Sequence, residues 1–116
     1  MREPEAELLQ LQALLCQALA DPKRLAILYC ISEHEVSVGE IAQDLNMSMA
    51  NVSQHLGLLR ARGLVRSRKE GNSVLYGLAY PEIMQACKVL RSLLGKQLAD
   101  GNRLAVLLEA RRAVGE

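Results

Sequence analysis

The chain has 116 residues, half of them hydrophobic, with three tyrosines as its only aromatic residues and a net charge of +1. That length predicts one domain, 1–116, around a modest core of Leu, Ile, Val, Ala and Met. No apolar run approaches the ~18–20 residues of a membrane span, and the acidic start MREPEAELLQ lacks a signal-peptide apolar stretch, so a cytoplasmic protein with no membrane partner is expected. Three cysteines, an odd number, make no disulfide framework in such a reducing compartment.

Residues 4–19 read as a first helix: Pro4 suits its first turn, and Leu8, Leu11, Leu15 and Ala18 keep helical spacing. Asp21-Pro22 opens a second, with Asp21 as cap and Pro22 at the first helical position, carrying Leu25, Ile27, Leu28 and Ile31 to about Glu33. Ser37-Val-Gly-Glu40 is a capping-box pattern, in which the Ser hydroxyl accepts from the third amide and Glu40 reaches back to the Ser amide. Ile41 and Leu45 then face inward, and Asn46-Met47 turns the chain, Asn tolerating the left-handed conformation that ends a helix. Ser48 caps the next helix, about 49–62, whose inward positions are Val52, Leu56 and Leu59 and whose stop is Gly63.

Leu64 to Arg68 alternates apolar and basic residues as a half-buried strand does; Gly71-Asn72 turns, and Val74 to Leu78 returns. Pro81 opens a long helix to about Leu98 with a stripe of Ile83, Cys87, Leu90 and Leu94. Asp100-Gly101-Asn102 breaks it, and residues 103–113 form a last short helix. The expected fold is mainly α with a small β-hairpin, a winged helix-turn-helix of about five to six helices. The helix-turn-helix occupies 37–62 and the wing 64–78.

That order points to DNA. Residues 48–73 carry Arg60, Arg62, Arg66, Arg68 and Lys69 against Glu70 alone, a basic patch of the kind phosphate binding requires. On the second helix of the motif, Ser48, Met49, Asn51, Gln54, His55 and Arg60 lie between the apolar positions and are expected to point outward. Ser, Asn and Gln are side chains that hydrogen-bond base edges and phosphates, and a helix N-terminus offers free amides to a phosphate. Arg66, Arg68 and Lys69 lead into the wing, towards the neighbouring backbone or minor groove. Residue by residue, a solvated polar face explains each side chain equally well; the ensemble of two caps, a short turn and a basic hairpin in this order carries the DNA reading. For His55 the alternative is packing on the next element.

The stretches Ala18-Leu-Ala-Asp-Pro-Lys-Arg-Leu25, Ser37-Val-Gly-Glu-Ile41, Val52-Ser-Gln-His-Leu56, Leu59-Arg-Ala-Arg-Gly-Leu-Val65 and Arg68-Lys-Glu-Gly71 with Tyr76 resemble the ArsR/SmtB family of small bacterial repressors. The resemblance implies a homodimer joined through its first and last long helices (segments 1–20 and 81–98). Two recognition helices then read a palindromic double-stranded operator about one helical turn apart, until an inducer releases them. The Leu-rich end helices support the dimer independently, because exposed apolar patches usually mark interfaces.

The resemblance departs at the sensing sites. One metal site of the family places Cys-x-Cys at the start of the helix-turn-helix, where this chain has Ser37 and Gly39; another uses Asp and His on the last long helix, where it has Tyr80, Glu82, Leu93 and Lys96. No metal and no cofactor is therefore expected at those places. The subgroup that senses sulfane sulfur or oxidants uses two cysteines at positions held here by Tyr29 and Gly95, with Cys30 and Cys87 displaced from them. Cys16, Cys30 and Cys87 remain candidates for a thiol sensor of reactive sulfur, an oxidant or a soft metal, against the plainer reading of small buried hydrophobes.

An enzyme is not expected, for want of a Gly-rich phosphate loop, a Ser-His-Asp arrangement or a carboxylate pair in a cleft. The surviving rival is a winged-helix DNA-binding or protein-interaction module with no inducer.

Overall fold

The computed structural model describes residues 3–113; positions 1–2 and 114–116 of the expected domain, and the start of the expected first dimerisation segment, lie outside them. In chain order the elements are α1 (Glu3–Leu19), α2 (Pro22–Cys30), β1 (Val36–Ser37), α3 (Val38–Leu45), α4 (Met49–Ala61), β2 (Val65–Glu70), β3 (Ser73–Leu78), α5 (Glu82–Gln97), a wide helical turn (Leu98–Asn102) and α6 (Arg103–Ala113). They fall into two units, one ending at Ile83 and one beginning at Met84. Among the described residues no helix is long and apolar enough to cross a membrane.

The first unit is organised by its caps. Asp21 accepts the amides of Lys23 at 2.8 Å and Arg24 at 3.0 Å, and Pro22 occupies the adjoining helical position. Arg24 turns back from α2 to donate to the carbonyls of Ala18 at 2.7 Å and Gln17 at 3.0 Å. One side chain thus satisfies the orphan carbonyls at the end of α1 while its own amide is satisfied by the cap of α2. Helix α2 is shorter than the spacing predicts: it ends at Cys30, not near Glu33. The Ile31 amide folds back on Ile27 and Tyr29, and the Ser32 hydroxyl takes the Tyr29 carbonyl at 2.8 Å, which closes the helix before the loop.

Ser37 caps α3, its hydroxyl accepting the Glu40 amide at 3.2 Å. The reciprocal half of the expected capping box takes another form: the Ser37 hydroxyl donates to Glu40 Oε1 at 3.1 Å. Val36 and Ser37 are also paired with Tyr76 and Leu75 of β3, a strand the sequence does not announce. The sheet is therefore three-stranded and antiparallel, in the order β1-β3-β2, with Val65 opposite Leu78 and Glu70 opposite Ser73. The chain reverses at Gly71-Asn72 as expected, with Gly71 at φ +61°, and the wing strands run further towards the tip than alternation indicates because Lys69 pairs with Val74 and Glu70 with Ser73. Asn46 adopts φ 53°, ψ 49° at the end of α3, and Met47 donates to Ala42 at 2.9 Å, making the three-residue turn into α4.

The core of this unit is aliphatic: Ile27, Leu28, Ile31, Ile41, Val52, Leu56 and Leu59 are all fully buried, with Val36, Leu64 and Val65 beside them. Helix α1 contributes only Ala18. Its Leu8 and Leu11 are 65% and 61% exposed, and Leu9, Leu14 and Leu15 are also open. In the second unit Val89, Leu90, Leu93 and Leu94 of α5, Leu98 of the turn, and Leu104, Leu107 and Leu108 of α6 are likewise exposed. The break expected near residues 100–102 is there, at Gly101 with φ 80°.

Burial pushes the Asp21 carboxyl up, but the Arg24 amide and guanidinium, the Lys23 amide and the His55 charge outweigh it, leaving the group below its usual value. A carboxyl that binds its proton less readily in the folded than in the unfolded state stabilises the fold above the unfolded value of about 3.9, and that stability is lost as pH falls through the folded value. Asp21→Ala is expected to cost about 1 kcal/mol at neutral pH by urea unfolding. Asp21→Asn should keep most of the cap and flatten the loss of stability in acid.

Candidate nucleic-acid interface

Helix α4 is oriented by what it buries. Val52, Leu56 and Leu59 sit at i, i+4 and i+7 and pack α4 against α2, α3 and β2. At about 100° per residue, the residues opposite them are Ala50, Ser53, Gln54, Gly57 and Ala61, with Met49 and Arg60 at the margin. All seven are exposed. Ser48 is exposed at the N-terminus, where its hydroxyl accepts the Asn51 amide at 3.1 Å. The other first-turn amides have no intrahelical partner, so the end of α4 presents donors suited to a phosphate.

Of the residues expected to point outward, Ser48, Met49, Gln54 and Arg60 do so, while Asn51 and His55 are half-buried. Asn51 lines a shallow groove with Pro22, Lys23, Ala26, Leu45, Asn46, Met47 and Ser48. His55 stands on the side of α4 nearest Asp21, close enough for its charge to act on that carboxylate. Ser53 was not among the expected contacts, yet it lies on the outward face one turn from Gly57. Its spacing from Met49 is the signal that could have found it. Lys23, exposed in the groove beside Ser48, is a second such residue, and only the tertiary fold brings it there.

The wing contributes Arg66, Arg68 and Lys69, all exposed on β2. Arg68 is already engaged: its Nε donates to Glu35 at 2.7 Å and its Nη2 to Glu70 at 3.0 Å, which together hold it more firmly protonated than an ordinary arginine. Arg66 and Arg68 project from the same face of the strand, and opposite Arg66 the ladder places Gly77.

A short helix, a three-residue turn, a capped second helix with a polar outward face, and a basic hairpin therefore stand together in one unit. A sequence profile of the bacterial regulatory proteins of the arsR family matches residues 21–67, the span from the cap of α2 into β2. The HTH-type transcriptional regulator Rv0081 of Mycobacterium tuberculosis is 39% identical over 105 residues, 90% of each chain. The chain belongs to the ArsR family. The crystal structure of Rv0081 superimposes with a TM-score of 0.74 at 38% identity, covering 80% of this chain and 94% of that one. The transcriptional activator HlyU of Vibrio cholerae is 40% identical over 79 residues, 68% of this chain and 73% of its own. The homodimeric winged helix-turn-helix DNA-binding domain of Mb0332 from Mycobacterium bovis aligns with a TM-score of 0.77 at 28% identity, over 84% and 91% of the two chains. This ArsR-family protein is thus a DNA-binding transcriptional regulator and not an enzyme.

The three candidate sensor thiols occupy different settings. Cys16 is exposed on α1. Cys30, half-buried at the end of α2, has its Sγ 3.9 Å from Asp44 Oδ2; burial, then the Asp44 carboxylate, then Glu40 push the thiol up. Cys87 is buried on α5, and burial raises it against a smaller opposing effect of Arg91. Both shifts reduce the thiolate, which is the reactive form. Among the described residues no three His, Cys, Asp or Glu side chains are grouped to hold a metal ion.

Gly57 stands mid-helix on the outward face, where an added Cβ meets nothing within 4 Å. Gly57→Ala is expected to stabilise the fold by about 0.5–1 kcal/mol in urea unfolding and to weaken DNA binding by thickening the surface that approaches the groove. Unchanged DNA affinity would place the contact face elsewhere on α4.

Proposed function

We propose that this ArsR-family protein is a homodimeric, sequence-specific repressor that holds a palindromic operator and is released by an inducer. The observation that carries the reading is the outward face of α4. Ser53 and Gln54 flank small residues there, Ser48 and free amides cap one end, and Arg60 marks the other. In this reading Gln54 and Ser53 meet base edges, and Ser48, Met49 and Asn51 seat the N-terminus of α4 against the backbone. Arg60, Arg66, Arg68 and Lys69 neutralise phosphates, and His55 steadies α4 from the side of Asp21.

Two features support the dimer: the exposed leucines of α1 and α5 and the homodimeric state of the Mb0332 domain. A two-fold dimer presents two copies of α4, which a palindromic site matches. Relatives carry both roles in their names, activator for HlyU of Vibrio cholerae and repressor for SmtB of Mycobacterium tuberculosis, and occupancy of a promoter is by itself enough to repress.

For release, reactive sulfur, an oxidant or a soft metal acting on Cys16, Cys30 or Cys87 is the chemistry the residues offer. Cys30 beside Asp44 and the buried Cys87 have raised thiols and offer little thiolate, which leaves the exposed Cys16. The second reading is a winged-helix DNA-binding or protein-interaction module with no inducer.

Fluorescence anisotropy with the DNA upstream of the protein's own gene tests both readings. Gln54→Ala is expected to lose on the order of 1–3 kcal/mol of discrimination between operator and scrambled duplex. Arg66→Ala should weaken both duplexes alike and shallow the salt dependence by about one contact. Unchanged preference in Gln54→Ala would sink the assignment of α4 as the reading helix. Loss of binding after polysulfide treatment, with a cysteine adduct by mass spectrometry, would decide for the thiol switch. Insensitivity would set the cysteines aside and turn the search to metals and small organic ligands, and binding flat in salt and sequence would decide for the second reading.

A further inference from the structure

Glu35 lies just before β1, and its carboxylate reaches across to accept the Arg68 Nε–H at 2.7 Å, a contact between residues 33 apart in the chain. Glu70 takes the Nη2 of the same guanidinium at 3.0 Å. Two of the five N–H donors of this guanidinium, on Nε and Nη2, are therefore on carboxylates before any DNA arrives.

The local backbone accommodates this arrangement. At Gly77 an added Cβ would stand 3.1 Å from Glu35 Cγ and 3.9 Å from Arg66 Nε. The stem of Glu35 thus lies over the sheet where β3 has no side chain, beside both arginines of the outer face. Glu35 itself is only 25% exposed. With Glu70 it sets two carboxylates against the three cations Arg66, Arg68 and Lys69, so Glu35 halves the net +2 that the side chains of β2 carry by themselves.

We propose that Glu35 is an electrostatic brake on the wing: it competes with a DNA phosphate for Arg68, so that docking the wing exchanges a carboxylate for a phosphate. The proposal rests on the DNA-binding reading above and adds to it a residue outside the helix-turn-helix and the hairpin. Phosphate contacts strengthen binding to all sequences alike. A brake on one of them lowers non-specific binding and leaves base discrimination by α4 untouched.

The test is anisotropy of the full chain on operator and scrambled duplexes across a salt series. Glu35→Gln should bind both duplexes roughly two- to fivefold more tightly, the weight of an exposed ion pair, with a steeper salt dependence and an unchanged ratio between duplexes. In an Arg68→Ala background the same substitution should gain nothing. Glu70→Gln, which frees the other edge of the guanidinium, should give a gain of the same sign and serves if Glu35→Gln melts early by circular dichroism.

Unchanged or weaker binding by folded Glu35→Gln would overturn the brake and make Glu35 a positioning residue or a bystander. An equal gain in the Arg68→Ala background would overturn it in favour of a bare change in net charge. Intact protein that binds neither duplex would sink the DNA reading and the brake with it. Operator binding that depends on Gln54 but not on Glu35 would sink the brake alone.

Discussion

The geometry of the DNA-reading unit depends on one packing event, the burial of Val52, Leu56 and Leu59 of α4 among Ile27, Leu28, Ile31 and Ile41. These three side chains leave α4 one rotational setting about its axis. Turning the helix by a single residue would rotate every position by about 100°, carrying Val52, Leu56 and Leu59 off the core and bringing Ser53, or Asn51 and His55, into it. The caps at Ser37, Asn46 and Ser48 set where α3 and α4 begin and end, and so the angle at which that face is offered. The polar face follows from the apolar one: Ser53 and Gln54 point outward because their neighbours must point in.

The wing is governed by pairing and charge. A two-residue strand, β1, joins its hairpin to the segment that starts α3, so that hairpin and helix-turn-helix are tied through backbone hydrogen bonds as well as through the core. The Glu35–Arg68 pair crosses the same junction on the outer face of the sheet. Exposed ion pairs add little to stability. Their consequence here is electrostatic, since they decide how many of the wing's cations are free to meet a phosphate.

Outside the helix-turn-helix and the wing, the chain is rich in leucines that are not buried. Helix α1 buries Ala18 and little else, and α5 and α6 show a comparable surplus. Such faces are costly to leave in water, at roughly 25 cal/mol per Å², which is why they favour association. The cysteines divide between these settings, with Cys16 on the open face of α1, and Cys30 and Cys87 in surroundings that keep their thiols protonated.

What the sequence determined by itself was local. Caps such as Asp21, Ser37 and Ser48, the left-handed Asn46, the stop at Gly63 and the spacing of Val52, Leu56 and Leu59 are short-range signals. Each acts through hydrogen bonds or periodicity within a few residues, and the helices and the hairpin were legible from them. The third strand was not, because two residues carry no period and their partner lies about forty positions on. Nor was the early end of α2, where Ser32 takes a carbonyl that spacing alone assigns to a longer helix. At the candidate site, Ser48, Met49, Gln54 and Arg60 could be read from the chain, but the half-burial of Asn51 and His55, the approach of Lys23 to the N-terminus of α4, and the capture of Arg68 by Glu35 could not. Those are decided by which surfaces α2, the loop before β1 and the sheet bring together, and contacts between residues far apart in the chain exist only once the core has placed them.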